Sequence, residues 1–180
     1  AWSNDKTGKL NSAMSFDGTD DYVGLGSQVG TSTTFTASAW FKRNGASNYH
    51  GIMHGITGDG SYTRILVNSS GSVITLQQRD IGGTVVNAQW SSQPFGDNNW
   101  HHITYSFDGS NIKLYTDGKL QGSPTACNGV KTGSSALEIG RGQSNDYYTS
   151  GLIDDVRIYN YALTGEQIKQ IYNDGAVKFN

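Results

Sequence analysis

The stretch Phe35-Thr-Ala-Ser-Ala-Trp-Phe41 carries the clearest secondary-structure signal in this chain of 180 residues. Large and small apolar residues occupy every second position, so Phe35, Ala37, Ala39 and Phe41 share one face of an extended segment. The stretch therefore predicts a β-strand with one face in a core. The residues of the other parity are then expected to point out of the sandwich: Thr36, Ser38, Trp40 and Lys42. Trp40 is then either a ligand contact or a buried framework residue.

The same period-two alternation recurs along the chain. It predicts further strands at Ala13–Phe16, Tyr22–Leu25, Arg64–Asn68, Val73–Arg79, Thr84–Trp90, His101–Phe107, Asn111–Thr116, Ala136–Ile139 and Leu152–Tyr159. Three Asp-Gly pairs lie between such segments, at residues 17–18, 108–109 and 117–118, and pairs of this kind accept the positive φ of tight turns. Antiparallel hairpins follow from this pattern.

One short helix is predicted near the end of the chain. Thr164-Gly-Glu-Gln167 has the spacing of a capping box, and Ile168 and Ile171 continue an apolar stripe. About ten strands exceed what one open sheet normally holds. The prediction is therefore an all-β fold, a two-sheet antiparallel jelly-roll sandwich with one short C-terminal helix, over residues 1–180 as a single domain.

Composition argues against several classes of protein. The formal net charge is −2, and no run of Lys or Arg forms a basic stripe, so nucleic acid is not an expected partner. No stretch approaches the ~20 apolar residues that span a bilayer, so membrane insertion is not expected. The chain starts at Ala1 without a signal segment, and its single cysteine, Cys127, cannot form an internal disulfide. We expect a monomeric module of a larger multidomain protein.

Four ordered segments resemble the laminin-G-like subset of the concanavalin A-like lectin and glucanase superfamily. They are Ser15-Phe-Asp-Gly-Thr-Asp-Asp-Tyr-Val23, Phe35–Lys42, Trp100-His-His-Ile-Thr-Tyr-Ser-Phe-Asp-Gly109 with Leu114-Tyr-Thr-Asp-Gly118, and Gly151-Leu-Ile-Asp-Asp-Val-Arg-Ile-Tyr-Asn160. The resemblance implies a sandwich with a concave and a convex sheet. It also implies a carbohydrate-binding or adhesion role in an exported protein, located outside the cell or on its surface.

The resemblance does not extend to the catalytic motif of the superfamily's β-glucanases, which has a Glu-x-Asp-x-x-Glu or similar spacing. The only glutamates are Glu138 and Glu166, in a predicted strand and in the first turn of the predicted helix. Glycoside hydrolysis needs two carboxyl groups close together. We therefore predict that the domain is not an enzyme, with a polysaccharide lyase or hydrolase as the less favoured alternative. His50 and His54 are interpreted as polar loop residues, because Gly51 and Gly55 argue against a zinc-binding helix.

Two acidic clusters offer the oxygen ligands that Ca²⁺ prefers, one around Asp17 and one at Asp154-Asp155. In proteins that the chain resembles, a metal often bridges the first and last strands. By that resemblance Asp154 and Asp155 would hold a structural Ca²⁺ opposite Asp17 or the Gly18 carbonyl. The alternative is that Asp17 only starts a turn and Asp155 pairs with Arg157.

The alternation also predicts a ligand-binding face on the concave sheet. If the apolar residues of the middle strands point inward, polar side chains point outward there, and loops add aromatic residues. The predicted ligand-binding residues are Arg64, Gln77, Arg79, Trp90, Tyr62, Tyr147 and Tyr148. The predicted partner is a polysaccharide or glycan, and the alternative is an adhesion or protein-interaction domain of the same fold.

Overall fold

The computed structural model describes residues 2–3, 13–28, 33–45, 49–57, 62–131, 135–143 and 146–176. In these ranges the strands are β1 Trp2–Ser3, β2 Ala13–Asp17, β3 Val23–Gln28, β4 Phe35–Arg43, β5 Tyr49–Thr57, β6 Tyr62–Asn68, β7 Ile74–Arg79, β8 Val85–Trp90, β9 Trp100–Phe107, β10 Asn111–Thr116, β11 Lys119–Leu120, β12 Thr125–Ala126, β13 Ser135–Ile139, β14 Arg141–Gln143, β15 Asp146–Tyr148 and β16 Ser150–Tyr159. One helix, α1, spans Gly165–Ala176.

The strands of the described ranges form two main antiparallel sheets. The eight-stranded sheet has the order β1-β2-β16-β4-β9-β10-β11, with β12 also paired to β10, and the six-stranded sheet has the order β3-β13-β5-β6-β7-β8. Strand β16 lies beside β2, with Ser150 opposite Asp17. The predicted two-sheet sandwich is therefore confirmed, with an early and a late strand side by side.

The core lies between the two sheets and contains the apolar positions that alternation selects. Phe41, Ile65, Leu76, Ile103 and Leu114 are all fully buried in one continuous cluster. Because each strand places every second side chain in this core, the remaining parity is left for the two outer faces. The two outer faces are treated differently in this fold.

Helix α1 covers part of the outer face of the eight-stranded sheet. Its start is a reciprocal capping box, in which Thr164 N donates to Gln167 Oε1 at 2.9 Å and Gln167 N donates to Thr164 Oγ1 at 3.3 Å. The ring of Tyr172 stacks on Trp40 with centroids 5.5 Å apart. Trp40 points out of the sandwich, as predicted, and it is buried there beneath the helix, with only 2% of the residue exposed.

The structure of residues 49–57 differs from the loop expected around His50 and His54. His50 and His54 were expected in a loop, but they lie on β5 in the middle of the six-stranded sheet and are buried. The glycine at position 51 has a packing role, since a Cβ there would collide with the backbone of Gly142. The glycines that argued against a helix therefore belong to a strand that another segment approaches closely.

Candidate functional site

A row of polar side chains crosses the outer face of the six-stranded sheet. The strand register places Glu138 opposite His54, His54 opposite Arg64, Arg64 opposite Gln77, and Gln77 opposite Asn87. The flanking residues of these strands point into the core, so the five side chains share the outer face. We call these five residues the polar row. With strands ~4.8 Å apart, it extends over about 19 Å.

Hydrogen bonds connect one half of the polar row. Arg64 Nε donates to Gln77 Oε1, and Gln77 Nε2 donates to Asn87 Oδ1. Arg64 Nη1 also donates to the Gly142 carbonyl at 3.3 Å. Side chains held in this way present donors and acceptors in fixed positions, which reduces the entropy lost when a ligand binds.

The other half of the polar row is an ionic cluster. The Arg141 guanidinium binds both carboxylate oxygens of Glu138, with Nε to Oε2 at 3.0 Å. This pairing raises the pKa of Arg141 above its usual value. Glu138 Oε2 lies 3.7 Å from Nδ1 of His54. Burial first, and the charge of Arg64 second, lower the pKa of His54 to about 4, against the opposing effect of Glu138. His54 is therefore neutral at pH 7.

A small hairpin formed by β14 and β15 sits at the side of the polar row. Thr149 Oγ1 donates to the Gly51 carbonyl at 2.8 Å, and the backbone of Gly142 lies directly over Gly51. The Tyr147 ring meets the Tyr49 ring edge to face, with centroids 5.0 Å apart. The hairpin therefore forms an aromatic wall that is anchored to the central strand of the sheet.

Tyr22 directly precedes β3, the edge strand next to β13, and its ring packs against the guanidinium of Arg141. The guanidinium carbon is 3.8 Å from the ring centroid, within cation–π range. Tyr22 is nevertheless 47% exposed. Gly24, on the neighbouring strand β3, is opposite Glu138 and so continues the level of the polar row.

The structure brings several of the predicted ligand-binding residues together. Arg64 and Gln77 belong to the polar row. Arg79 lies on the same face in the next row, where its Nη1 donates to the Gly83 carbonyl at 2.9 Å. Tyr147 and Tyr148 lie on the hairpin, with Tyr148 opposite Arg141. Tyr62 is on β6, two residues before Arg64, and its side chain lies outside the described residues.

Trp90 does not belong to this surface. It is 9% exposed and packs in the core cluster, where it is opposite Ile74. The structure therefore does not group Trp90 with the other predicted ligand-binding residues. Val86, Ala88 and Trp90 occupy alternate positions of one strand, so the alternation used elsewhere would have assigned the indole to the inner face.

The sequence did not lead to His54, Asn87, Glu138 or Tyr22 as candidate binding residues. Glu138 lies between Leu137 and Ile139, both of which are buried, so alternation could have placed its carboxylate outward. The approach of Tyr22 to this cluster has no sequence signal, because it depends on the pairing of β3 with β13.

The four predicted calcium ligands are not brought into one set. Asp17 is opposite Ser150, and Asp154 follows four residues later on the same strand, which separates the two positions by ~13 Å. Calcium ligands lie about 2.3–2.6 Å from the ion, so one ion cannot join both carboxylates. The fit that the resemblance implied is therefore absent for this pair.

Local contacts account for three of these acidic side chains. Asp17 Oδ1 accepts from Thr19 N at 2.7 Å in the turn that contains Gly18, whose φ is +87°. Asp154 Oδ1 accepts from Asp155 N, and Asp155 Oδ1 accepts from Arg157 Nε, each at 2.7 Å. Among the described residues, no three His, Cys, Asp or Glu side chains are grouped as a metal site would require.

Comparison with known proteins identifies the family. Residues 17–169 match the model of a family described as Laminin_G_3, concanavalin A-like lectin/glucanases superfamily. The chain belongs to this superfamily. The match covers most of the chain, from the first acidic turn into helix α1, and agrees with the two-sheet sandwich. The resemblance stated from the sequence is confirmed.

The chain is also similar to three proteins of known name. The chain is 25% identical over 149 residues to adhesion G-protein coupled receptor V1 of Danio rerio. This match covers 79% of the chain but only 2% of the receptor. Domain 4 of the extracellular arabinanase AbnA of Geobacillus stearothermophilus, solved with arabinotriose, superposes with a TM-score of 0.76 at 22% identity, over 96% of this chain and 80% of that one. The CBM40 of a Ruminococcus gnavus IT-sialidase superposes with a TM-score of 0.73 at 13% identity, over 89% and 96%.

Within the described residues, none of the helical structure has the length and apolar character needed to cross a membrane.

Proposed function

We propose that this domain binds a glycan on the outer face of its six-stranded sheet, across the polar row. The observation that carries the proposal is the row itself, in which five neighbouring strands each contribute one hydrogen-bonding side chain at the same level. Amide, guanidinium and carboxylate groups together supply both donors and acceptors, which sugar hydroxyls require. The row is longer than one sugar ring, so an oligosaccharide fits it better than a monosaccharide.

The aromatic residues beside the row support a carbohydrate ligand. Tyr22 and Tyr49 are 47% and 39% exposed, at opposite sides of the ionic cluster, and rings of this kind cover the C–H faces of sugars. The arabinanase domain with arabinotriose gives further support, since it is a similar fold seen with an oligosaccharide. Away from this surface, the exposed large apolar residues Ile81, Leu120 and Tyr161 lie in separate parts of the described chain and form no continuous segment. This favours a glycan over a protein partner.

We propose that binding is not accompanied by catalysis. The polar row contains one carboxylate, Glu138, and Arg141 pairs with both of its oxygens. Glu166 is in the first turn of α1, which packs on the other sheet. Hydrolysis by a carboxylate pair requires a separation of about 5–9.5 Å, which two residues on different sheets do not provide.

The proposed setting is a larger exported or cell-surface protein. The support is the relationship to an adhesion receptor and to a domain of an extracellular arabinanase, in both of which the matching region is one part of a longer protein. A single sugar-binding domain usually has weak affinity, because hydroxyls give up water contacts as they gain protein contacts. We expect dissociation constants in the micromolar range or weaker.

The test is isothermal titration calorimetry of the chain against a set of neutral and acidic polysaccharides that includes arabinan. Arg64→Ala should lower the affinity by about 10-fold, which is ~1.4 kcal/mol. Lys113→Ala is the matched control, since it removes one positive charge from β10 of the other sheet, where Lys113 pairs with Asp108 at 2.7 Å. Absence of binding to every polysaccharide, or equal losses in both variants, would overturn the proposal and favour a protein partner.

A further inference from the structure

The Tyr22 ring is fixed on one side only. Arg141 covers one face of the ring at 3.8 Å, and its guanidinium is in turn held by the paired contact with Glu138. The side chains of Arg141 and Glu138 are only 11% and 13% exposed, so this support is rigid. Since one face of the ring is covered, the 47% exposure of Tyr22 comes from its other face and its edges. A fixed ring with an exposed face loses little entropy when a ligand stacks on it.

The position next to this ring is open. Gly24 is at the end of the polar row opposite Glu138, and a Cβ built on it would meet one atom within 4 Å, Cε2 of Tyr22 at 3.7 Å. Its backbone does not have the positive φ that would require a glycine. Nothing in the local geometry demands a residue without a side chain there. The glycine leaves a space between the tyrosine ring and the row.

The chemistry around this space fits an uncharged sugar. The charges of Arg141 and Glu138 cancel within their ion pair, and His54 is neutral at pH 7. An anionic sugar ring would lie against the Glu138 carboxylate without gaining a free positive charge from Arg141. A neutral ring would instead donate hydroxyl groups to Glu138 while its apolar face rests on an aromatic ring.

We propose that Tyr22 and Gly24 form a stacking site for one uncharged sugar ring at the Glu138 end of the polar row. This inference rests on the proposed function and adds a contact residue and a sugar class to it. Tyr22 supplies the aromatic platform, Gly24 supplies the space, and Glu138 accepts hydrogen bonds from the sugar hydroxyls. The remaining sugars of the chain then lie along the row towards Asn87.

Two substitutions test the platform and the space separately. Tyr22→Ala removes the platform, and we expect at least a 10-fold loss of affinity for a neutral linear oligosaccharide, whereas Tyr22→Phe keeps the ring and should bind within about 2-fold of the original chain. Gly24→Thr fills the space with a β-branched residue that a strand accepts. It should abolish binding while leaving the melting temperature close to that of the original chain.

The matched controls are Tyr161→Ala and Gly82→Thr. Tyr161 is 48% exposed and follows β16 of the other sheet, and Gly82 is in the turn between β7 and β8. Calorimetry with arabinotriose, cellotriose and xylotriose, and with sialyllactose as an anionic probe, should show losses for Tyr22→Ala and Gly24→Thr alone. Should Gly24→Thr not fold, Tyr22→Ala against Tyr161→Ala still decides the question.

The outcomes separate the two proposals. If Arg64→Ala loses affinity while Tyr22→Ala and a folded Gly24→Thr bind like the original chain, the stacking site is wrong and glycan binding by the row stands. If the original chain binds sialyllactose but none of the neutral trisaccharides, the sugar class is wrong. If it binds none of the probes and none of the polysaccharides, the proposed function and the stacking site fail together.

Discussion

Trp40 and Tyr172 stack with their ring planes 25° apart and their centroids separated by 5.5 Å. This contact joins helix α1 to the middle of the eight-stranded sheet. The same tyrosine ring lies 6.0 Å from the ring of His102 on the neighbouring strand. Through this contact, α1 shields aromatic surface on one outer face, while the polar row occupies the outer face of the other sheet. We therefore expect substitutions on one face to affect stability and substitutions on the other to affect the proposed binding.

Loss of the Tyr172 ring should destabilise the domain without affecting the ligand surface. Tyr172→Ala exposes Trp40 to water, and we expect the free energy of unfolding to fall by about 2 kcal/mol. Urea unfolding followed by tryptophan fluorescence measures this loss. For Tyr172→Phe, which keeps the stack, the free energy of unfolding should fall by less than about 0.5 kcal/mol. Equal stability of the Ala variant and the original chain would show that the helix contact contributes nothing.

Acid should destabilise the fold through its two buried histidines. Burial, followed by the charge of a neighbouring arginine, lowers the pKa of both His50 and His54 to about 4, below the usual value of 6.5. The unfolded chain therefore binds protons that the native chain does not, so stability is complete above about pH 7 and falls as the pH decreases towards 4. The loss should reach at most roughly 3 kcal/mol for each histidine.

The variant that checks this effect is His54→Gln, which cannot take up the proton. Between about pH 6.5 and pH 4.5, its free energy of unfolding should fall less steeply than that of the original chain. This range avoids the carboxylates of Asp97 and Asp108, whose pKa values are lowered. Parallel pH profiles for the two proteins would contradict the assignment.

His101 should act in the opposite direction. Burial lowers its pKa, but hydrogen bonds and charges from Asp117 and Asp97 outweigh burial and raise the pKa above 6.5. Nδ1 is 2.8 Å from Asp117 and Nε2 is 3.0 Å from Asp97. A raised pKa gives stability that is complete below about pH 6.5 and is lost as the pH rises through the native value.

The comparison of the original chain with His101→Gln checks this prediction. The stability advantage of the original chain should be largest near about pH 6 and should shrink towards pH 8. Chemical denaturation at a series of pH values gives the difference directly. A difference that does not change with pH would mean that His101 contributes by packing alone.

Calcium binding stays a prediction, and the register limits how it can occur. Because Asp17 and Asp154 are ~13 Å apart along their strands, we expect at most one of Asp17→Asn and Asp154→Asn to remove a calcium-dependent change in melting temperature. Thermal unfolding in EDTA and in excess calcium chloride measures this for the original chain, Asp17→Asn and Asp154→Asn. Loss of the calcium response in both variants would contradict the separation of these two positions.

The sequence predicted the parts of this fold that depend on local pattern. The alternation of Phe35 to Phe41 placed each side chain on the correct side of its strand, and Thr164 with Gln167 marked the start of the helix. The cover over Trp40 could not be predicted, because it comes from a helix more than 120 residues away in the chain. Which outer face is shielded is decided by tertiary packing and not by periodicity.

The candidate site was predictable only in part for the same reason. Arg64 and Gln77 could be assigned to an outer face from their own strands. Their alignment with Glu138 depends on the pairing of β13 with β5, for which the sequence has no signal. Strand β5 was missed because Gly51 and Gly55 weaken its alternation, although one of them permits the close approach of the hairpin.

Mapping of amide chemical shifts in ¹H–¹⁵N spectra during titration with a bound oligosaccharide is the most direct test of glycan binding at the polar row. The account predicts that the shifts concentrate on the strands that carry the polar row, at Glu138, His54, Arg64, Gln77 and Asn87, and on the neighbouring Tyr22 and Gly24. Amides of β4, β9 and β10 in the other sheet should remain in place. Shifts confined to the eight-stranded sheet or to helix α1 would show that the glycan does not bind at the polar row.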